Sequence, residues 1–145
     1  VGLVAYLVKA DRSRTRLLCQ TDYQVLLDAC RDLLRQQKED RVFVLDDPDA
    51  SAAVQRFPKP LLDLAPRAII VQPDERVIIQ MVGGGLRSSL GIYAYVEGFE
   101  KANPHYPFGN RRLIEGLWYF DDRYNDDPGY DKVIDKIIEE GKRRK

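Results

Sequence analysis

Histidine, methionine and tryptophan occur once each in this 145-residue chain, and cysteine twice. So little histidine and cysteine leaves no sequence-local metal site of the zinc-finger kind, because Cys19 and Cys30 lack C-x-x-C spacing and His105 stands alone. Cys30 falls within a predicted helix and Cys19 just before it. The intervening turns hold the pair beyond the roughly 7 Å that a disulfide spans, so both read as reduced, packed thiols. Two cysteines say little about the redox compartment. Charge of one sign is also missing, since 23 basic and 23 acidic residues give a formal net charge of zero. Without a basic field over the whole molecule, nucleic acid is not an expected partner.

Long apolar runs are absent as well. Val1–Val8 is eight residues, against the roughly 20 that a membrane-crossing helix needs. The chain opens without methionine, which suggests a processed or trimmed form. The run reads as a first β-strand, favoured by its valines and tyrosine, or as the stub of a signal or membrane segment. Lys9, Arg12, Arg14 and Arg16 follow it, and would place a membrane stub's flank in the cytoplasm. Residues 1–20 are therefore set apart from a single domain over 21–145, of which a cytoplasmic setting is slightly favoured. A membrane would enter only through a segment upstream of Val1.

What is present is a globular composition, 44% hydrophobic, in a length typical of one domain, about 100–150 residues. A chain of this size buries roughly two thirds of its unfolded surface and needs no disulfide or metal to hold together. Thr21–Gln37 reads as an amphipathic helix with Leu26, Leu27, Cys30, Leu33 and Leu34 on one face, opened by a Thr21/Gln24 capping box. Arg41–Leu45 reads as a short strand. The stretch to Pro66 holds Pro48, Pro58, Pro60 and Pro66 and reads as a long connection, with one helical turn expected over Ala50–Arg56.

Strands follow at Ala68–Gln72 and Val77–Val82, joined by Pro73–Arg76 at hairpin length. Gly91–Glu97 alternates, with Ile92, Ala94 and Val96 opposite Tyr93, Tyr95 and Glu97. Leu113–Asp121 reads as one strand, apolar on both sides and so requiring cover on both, with Trp118 buried. Asp127 and Pro128 are expected to open a last helix, with Tyr130, Val133, Ile134, Ile137 and Ile138 as its buried stripe and Gly141 as its end. The order predicts an α+β fold, with a mainly antiparallel sheet of four to five strands and a helix from each end of the chain packed on it.

Ten of the fourteen aromatic residues lie between Tyr93 and Tyr130, which puts both core and working surface there. Gly83–Ser89 is rich in glycine but matches no phosphate-loop pattern, and strand rather than helix follows, so it reads as a flexible connection. Arg87 remains a candidate contact if that loop overhangs a pocket. Asp121, Asp122, Asn125, Asp126 and Asp127 could offer oxygen ligands to calcium or magnesium. Their spacing departs from the EF-hand loop, so Asp121, Asp122 and Asp126 are weak metal candidates, and no cofactor is expected. His105, between Pro104 and Pro107, has no nucleophile motif beside it and reads as a surface-loop histidine.

The candidate binding residues are Tyr93, Tyr95, His105, Tyr106, Phe108 and Arg87. An uncovered tyrosine face of a sheet would be a rigid amphipathic surface of the sort enriched in binding hot spots. The expectation is a small non-catalytic accessory or interaction domain that binds a protein or ligand through an aromatic sheet face. The alternative is a metal-assisted hydrolase built on Asp121–Asp127 with His105 or Glu115 nearby.

Overall fold

A computed structural model describes residues 12–45, 56–82, 89–124 and 129–144, without the side chains of Val82 and Arg144. The fold is α+β, and its sheet is antiparallel with six strands rather than the expected four to five. In chain order the elements are α1 (12–19), α2 (Tyr23–Gln36), β1 (Arg41–Val44), α3 (Lys59–Leu62), β2 (Ala68–Gln72) and β3 (Arg76–Val82). There follow β4 (Leu90–Tyr95), α4 (Phe99–Ala102), β5 (Arg111–Ile114), β6 (Leu117–Asp121) and α5 (Tyr130–Arg144). The sheet order is β1-β2-β3-β4-β6-β5.

The extra strand comes from Glu115-Gly116. Leu113–Asp121 is not one strand but the end of β5, a tight turn and β6, because Gly116 takes φ +88°, a left-handed conformation that glycine adopts without steric cost. A Cβ at Gly116 would also come within 2.6 Å of the Arg31 guanidinium of α2.

Helix α2 starts one residue later than the capping box predicts. Asp22 Oδ1 accepts from the backbone N–H of Gln24 and Val25, while the Thr21 hydroxyl donates backwards to the Arg16 carbonyl at 2.8 Å. Aspartate and threonine both cap helices, and here Thr21 is occupied in closing α1. That first helix was not anticipated, and it buries Leu17 and Leu18. The expected strand over Val1–Val8, the helical turn at Ala50–Arg56 and the Asp127/Pro128 helix start fall wholly or almost wholly outside the described residues. Instead α3 forms from Lys59, after Pro58 and with Pro60 in its first turn, where a missing N–H costs nothing.

Helix α5 runs through Gly141 to Arg144 instead of ending there. Gly141 is an approach point, since a Cβ on it would lie 2.7 Å from the Cys19 carbonyl oxygen of α1. In its expected stripe Tyr130 and Ile134 are buried and Ile137 and Ile138 are half-buried, but Val133 is exposed.

The paired strands align side chains in rows across the sheet, because residues directly opposite each other share a face. One row reads Phe43, Ile69, Ile79, Ile92, Tyr119, Arg111. Its four central members are fully buried, and they join one apolar core with Leu17 of α1, Leu26 and Cys30 of α2, Leu61 of α3 and Ile134 of α5. Helices α1, α2, α3 and α5 thus cover one face. Among the described residues no helix is long and apolar enough to cross a membrane.

Candidate functional site

The neighbouring row points the other way: Val42, Ile70, Ile78, Tyr93, Trp118, Arg112. Val42 is 65% exposed and Val44, two residues on, 48%. Ile70, Ile78, Tyr93 and Trp118 are half-buried. A single-layer cover normally leaves polar residues on the outer face of an antiparallel sheet. Here valine, isoleucine and aromatic rings occupy it.

One end of this outer face does have a cover. The chain from Phe99 to Asn110 folds back over Tyr95, which is fully buried. Phe99 stacks on the Tyr95 ring (centroids 5.3 Å apart, planes 12° apart), and Phe108 and Tyr106 meet it edge-on at 5.1 and 5.9 Å. The Tyr95 hydroxyl donates to the Phe108 carbonyl at 2.7 Å and accepts from Arg76 Nη1 at 3.3 Å. Burial, ahead of the opposing effect of Arg76, pushes the Tyr95 phenol up to about 12. Tyr95 and Phe108 are therefore the centre of a second, aromatic core, in which Tyr95 has no surface of its own.

The rings of this cluster left half-buried are Tyr93, Phe99, Tyr106 and Trp118. Tyr93 stacks on Phe120 at 4.4 Å and carries the Arg76 guanidinium 4.3 Å above its centre. Phe120 also shelters Gly91, whose missing Cβ lets the Ile79 carbonyl approach. Trp118 stacks on Phe108 at 5.4 Å, so it is a half-buried edge of the aromatic core and not the buried centre its sequence position suggests. Tyr106 donates its hydroxyl to Glu75.

Pro104, Tyr106, Pro107, Phe108 and Trp118 line an open groove of about 620 Å³. Its charges are internally matched. Glu100 accepts from Arg112 Nε (2.8 Å), the Gly116 amide (2.5 Å) and the Trp118 indole N–H (3.3 Å), and Lys101 lies 3.7 Å from Glu115. His105 is exposed in the turn beside this groove, and Arg87 lies outside the described residues.

The acidic turn is a different object from the one its sequence suggests. Asp121 is 2% exposed and accepts from the hydroxyls of Tyr119 (2.8 Å) and Tyr130 and from the Arg123 amide (2.9 Å). Arg123 Nε and Arg14 Nε stand 3.5 and 4.0 Å from it. Burial first, then Asp121, raises the phenols of Tyr119 and Tyr130, the latter to about 12. This carboxylate ties β6 to α1 and α5. Asp122 is exposed and accepts from the Ser89 amide and hydroxyl at 3.0 and 3.1 Å, while Asp126 lies outside the described residues. Among the described residues no group of three or more His, Cys, Asp or Glu could hold a metal ion. Cys19 and Cys30 are free and buried, and burial raises the Cys30 thiol, the opposite of what a nucleophile needs.

Sequence reasoning missed Arg76, Val42, Val44, Ile70 and Ile78 as surface residues. The signal was available for the last four in their outward parity, but the pairing order that aligns them into one patch was not. Compared with protein-family models, curated proteins and solved structures, the chain matches none.

Proposed function

We propose that this chain is a small non-catalytic interaction domain that binds a protein or ligand through the sheet face opposite its main helices. One observation carries the reading: the outward row Val42, Ile70, Ile78, Tyr93, Trp118 is apolar across five adjacent strands and accessible along its length. Apolar patches of this continuity on a folded surface mark contact sites, and a sheet holds them rigidly, so little side-chain order is lost on binding. The hydrolase alternative has less support, because the oxygens of Asp121 are already engaged by two phenols and a backbone amide.

Site-specific photo-cross-linking in the native cell tests the reading. A photoreactive residue at position 42 or 78 should form a discrete adduct. The same residue at Val25 or Val133, apolar positions exposed at 49% and 42% on helices α2 and α5, should not. Adducts of equal yield at all four positions, or none at 42 and 78, would remove the face from consideration.

A further inference from the structure

Among the side chains that the strands themselves direct to that face the charge is one-sided, while Glu75 of the β2–β3 turn is engaged by the Tyr106 hydroxyl. The only side chains ionised at neutral pH that the six strands direct to it are Arg76 and Arg112, and Arg112 is held by Glu100. Arg76 is half-buried and has no carboxylate partner among the described residues. Its Nε donates to Gln72 Oε1 at 3.1 Å, its Nη1 to the Tyr95 hydroxyl, and its plane covers Tyr93. Two neutral hydrogen bonds and a ring position the guanidinium without neutralising it. Three of its five N–H donors remain for a ligand, in a fork suited to a carboxylate. Directly beside it on the same face stands Ile78, with Ile70, Val42 and Val44 beyond.

We infer that this face receives an amphipathic helix of another protein, whose apolar stripe covers Val42, Val44, Ile70 and Ile78 and whose bordering Asp or Glu pairs with Arg76. The inference rests on the interaction reading above and names its partner class. A helix fits because β2, β3 and β4 have spent their backbone hydrogen bonds on neighbouring strands. An occupant of the face must arrive with its own backbone bonds satisfied, as a helix or as another sheet. A second copy of this chain supplies the sheet but not the charge, since two such faces would bring Arg76 together with another cationic face. The aromatic groove beside it has its ions matched in pairs and lacks this preference.

The test is a displayed library of helical peptides with a fixed leucine stripe and border positions drawn from Glu, Gln and Lys. On the wild-type protein Glu should be enriched at one border position. Arg76→Lys should retain that preference, Arg76→Gln should lose it, and Arg76→Glu should reverse it towards Lys. Selected Glu peptides should bind Arg76→Glu at least about tenfold more weakly, as expected for reversing one charge of a partly desolvated pair. Melting curves of the Arg76 variants show that they are folded, and Arg76→Gln, which should lose the Glu preference, carries the comparison if Arg76→Glu is not.

Binders lost in Ile78→Lys but with the same border composition on wild type and Arg76→Glu would overturn the acidic helix and leave the face reading intact. An absence of binders, or binders indifferent to Ile78→Lys, would overturn the helix. In that case cross-linking at 42 and 78 decides separately whether the face binds anything else. Self-association by sedimentation that disappears in Ile78→Lys would replace the helix by a second copy.

Discussion

At the scale of single residues, two tyrosines two positions apart in the sequence have opposite fates. Tyr93 and Tyr95 alternate onto the same side of β4, yet Tyr93 is accessible and Tyr95 is sealed by Phe99, Tyr106 and Phe108. Tyr95→Ser should therefore cost about 3–5 kcal/mol in a urea melt, as for other large-to-small core changes. Tyr95→Phe keeps the ring and loses the hydroxyl's bonds to the Phe108 carbonyl and from Arg76, for about 1–3 kcal/mol. A Tyr95→Ser melt within 0.5 kcal/mol of wild type, roughly the range of surface changes, would show that the ring is not core.

Tyr95, Tyr119 and Tyr130 all titrate above the ordinary phenol value of 10.0 in the folded chain. The unfolded chain then loses these protons first as pH rises. The contribution of Tyr95 and Tyr130 to stability is complete below pH 10.0 and falls away between 10.0 and about 12, while that of Tyr119, raised further, goes on falling beyond this window. Denaturant midpoints measured across that window should decline, less steeply in Tyr95→Phe. A flat profile would contradict the burial of these phenols.

At the scale of elements, the contact between α1 and α5 turns on Gly141. In an exposed helix interior Gly→Ala gains up to about 1 kcal/mol from propensity. Here the new methyl would sit 2.7 Å from the Cys19 carbonyl, a backbone atom that cannot swing aside. Overpacking costs about 1–3 kcal/mol and should win, so Gly141→Ala is expected to lower the melting temperature. A rise would mean that the two helices part easily. The hairpin β5–β6 behaves otherwise. Trp118 is half-buried on it, so Trp118→Ala should cost roughly half of the 3–5 kcal/mol of a fully buried ring. Its fluorescence should lie between that of buried and water-exposed indole, and should shift when the neighbouring groove is occupied.

At the scale of the whole molecule, four helices on one face and a twelve-residue aromatic fold-back on the other leave the β1–β3 half of the outer face open. Ile78→Lys tests whether that opening belongs to the folded state or to function. Ile78 is half-buried and outward, so the melt should shift by no more than about 1 kcal/mol, whereas Ile79→Lys, one residue along and fully buried, should prevent folding. Equal damage from the two substitutions would show that something covers both faces of β3 in the isolated chain.

The one-dimensional pattern was enough for much of the fold. The 3.6-residue stripe of α2, the ends of β2 and the alternation in β4 are local consequences of which side chains avoid water, and they were legible. The split of Leu113–Asp121 was less so, because an Ile-Glu-Gly-Leu turn differs from a continuous strand by one glycine dihedral. Which tyrosine is core and which is surface depended on where residues 99–110 fold back, a contact between segments that no periodicity encodes. The patch itself depended on sheet order. Val42, Ile70, Ile78 and Tyr93 are 28, 8 and 15 positions apart along the chain, and only the β1-β2-β3-β4 pairing brings them into one row. Asp121 shows the same limit in reverse: beside Asp122 in sequence it reads as a solvent-facing ligand, but strand parity turns it inward among Tyr119, Tyr130 and Arg123. Local preferences set the elements, because each residue's hydration is its own. The open apolar face and the buried carboxylate were decided by tertiary structure, because burial and pairing are properties of neighbours brought together from distant parts of the chain.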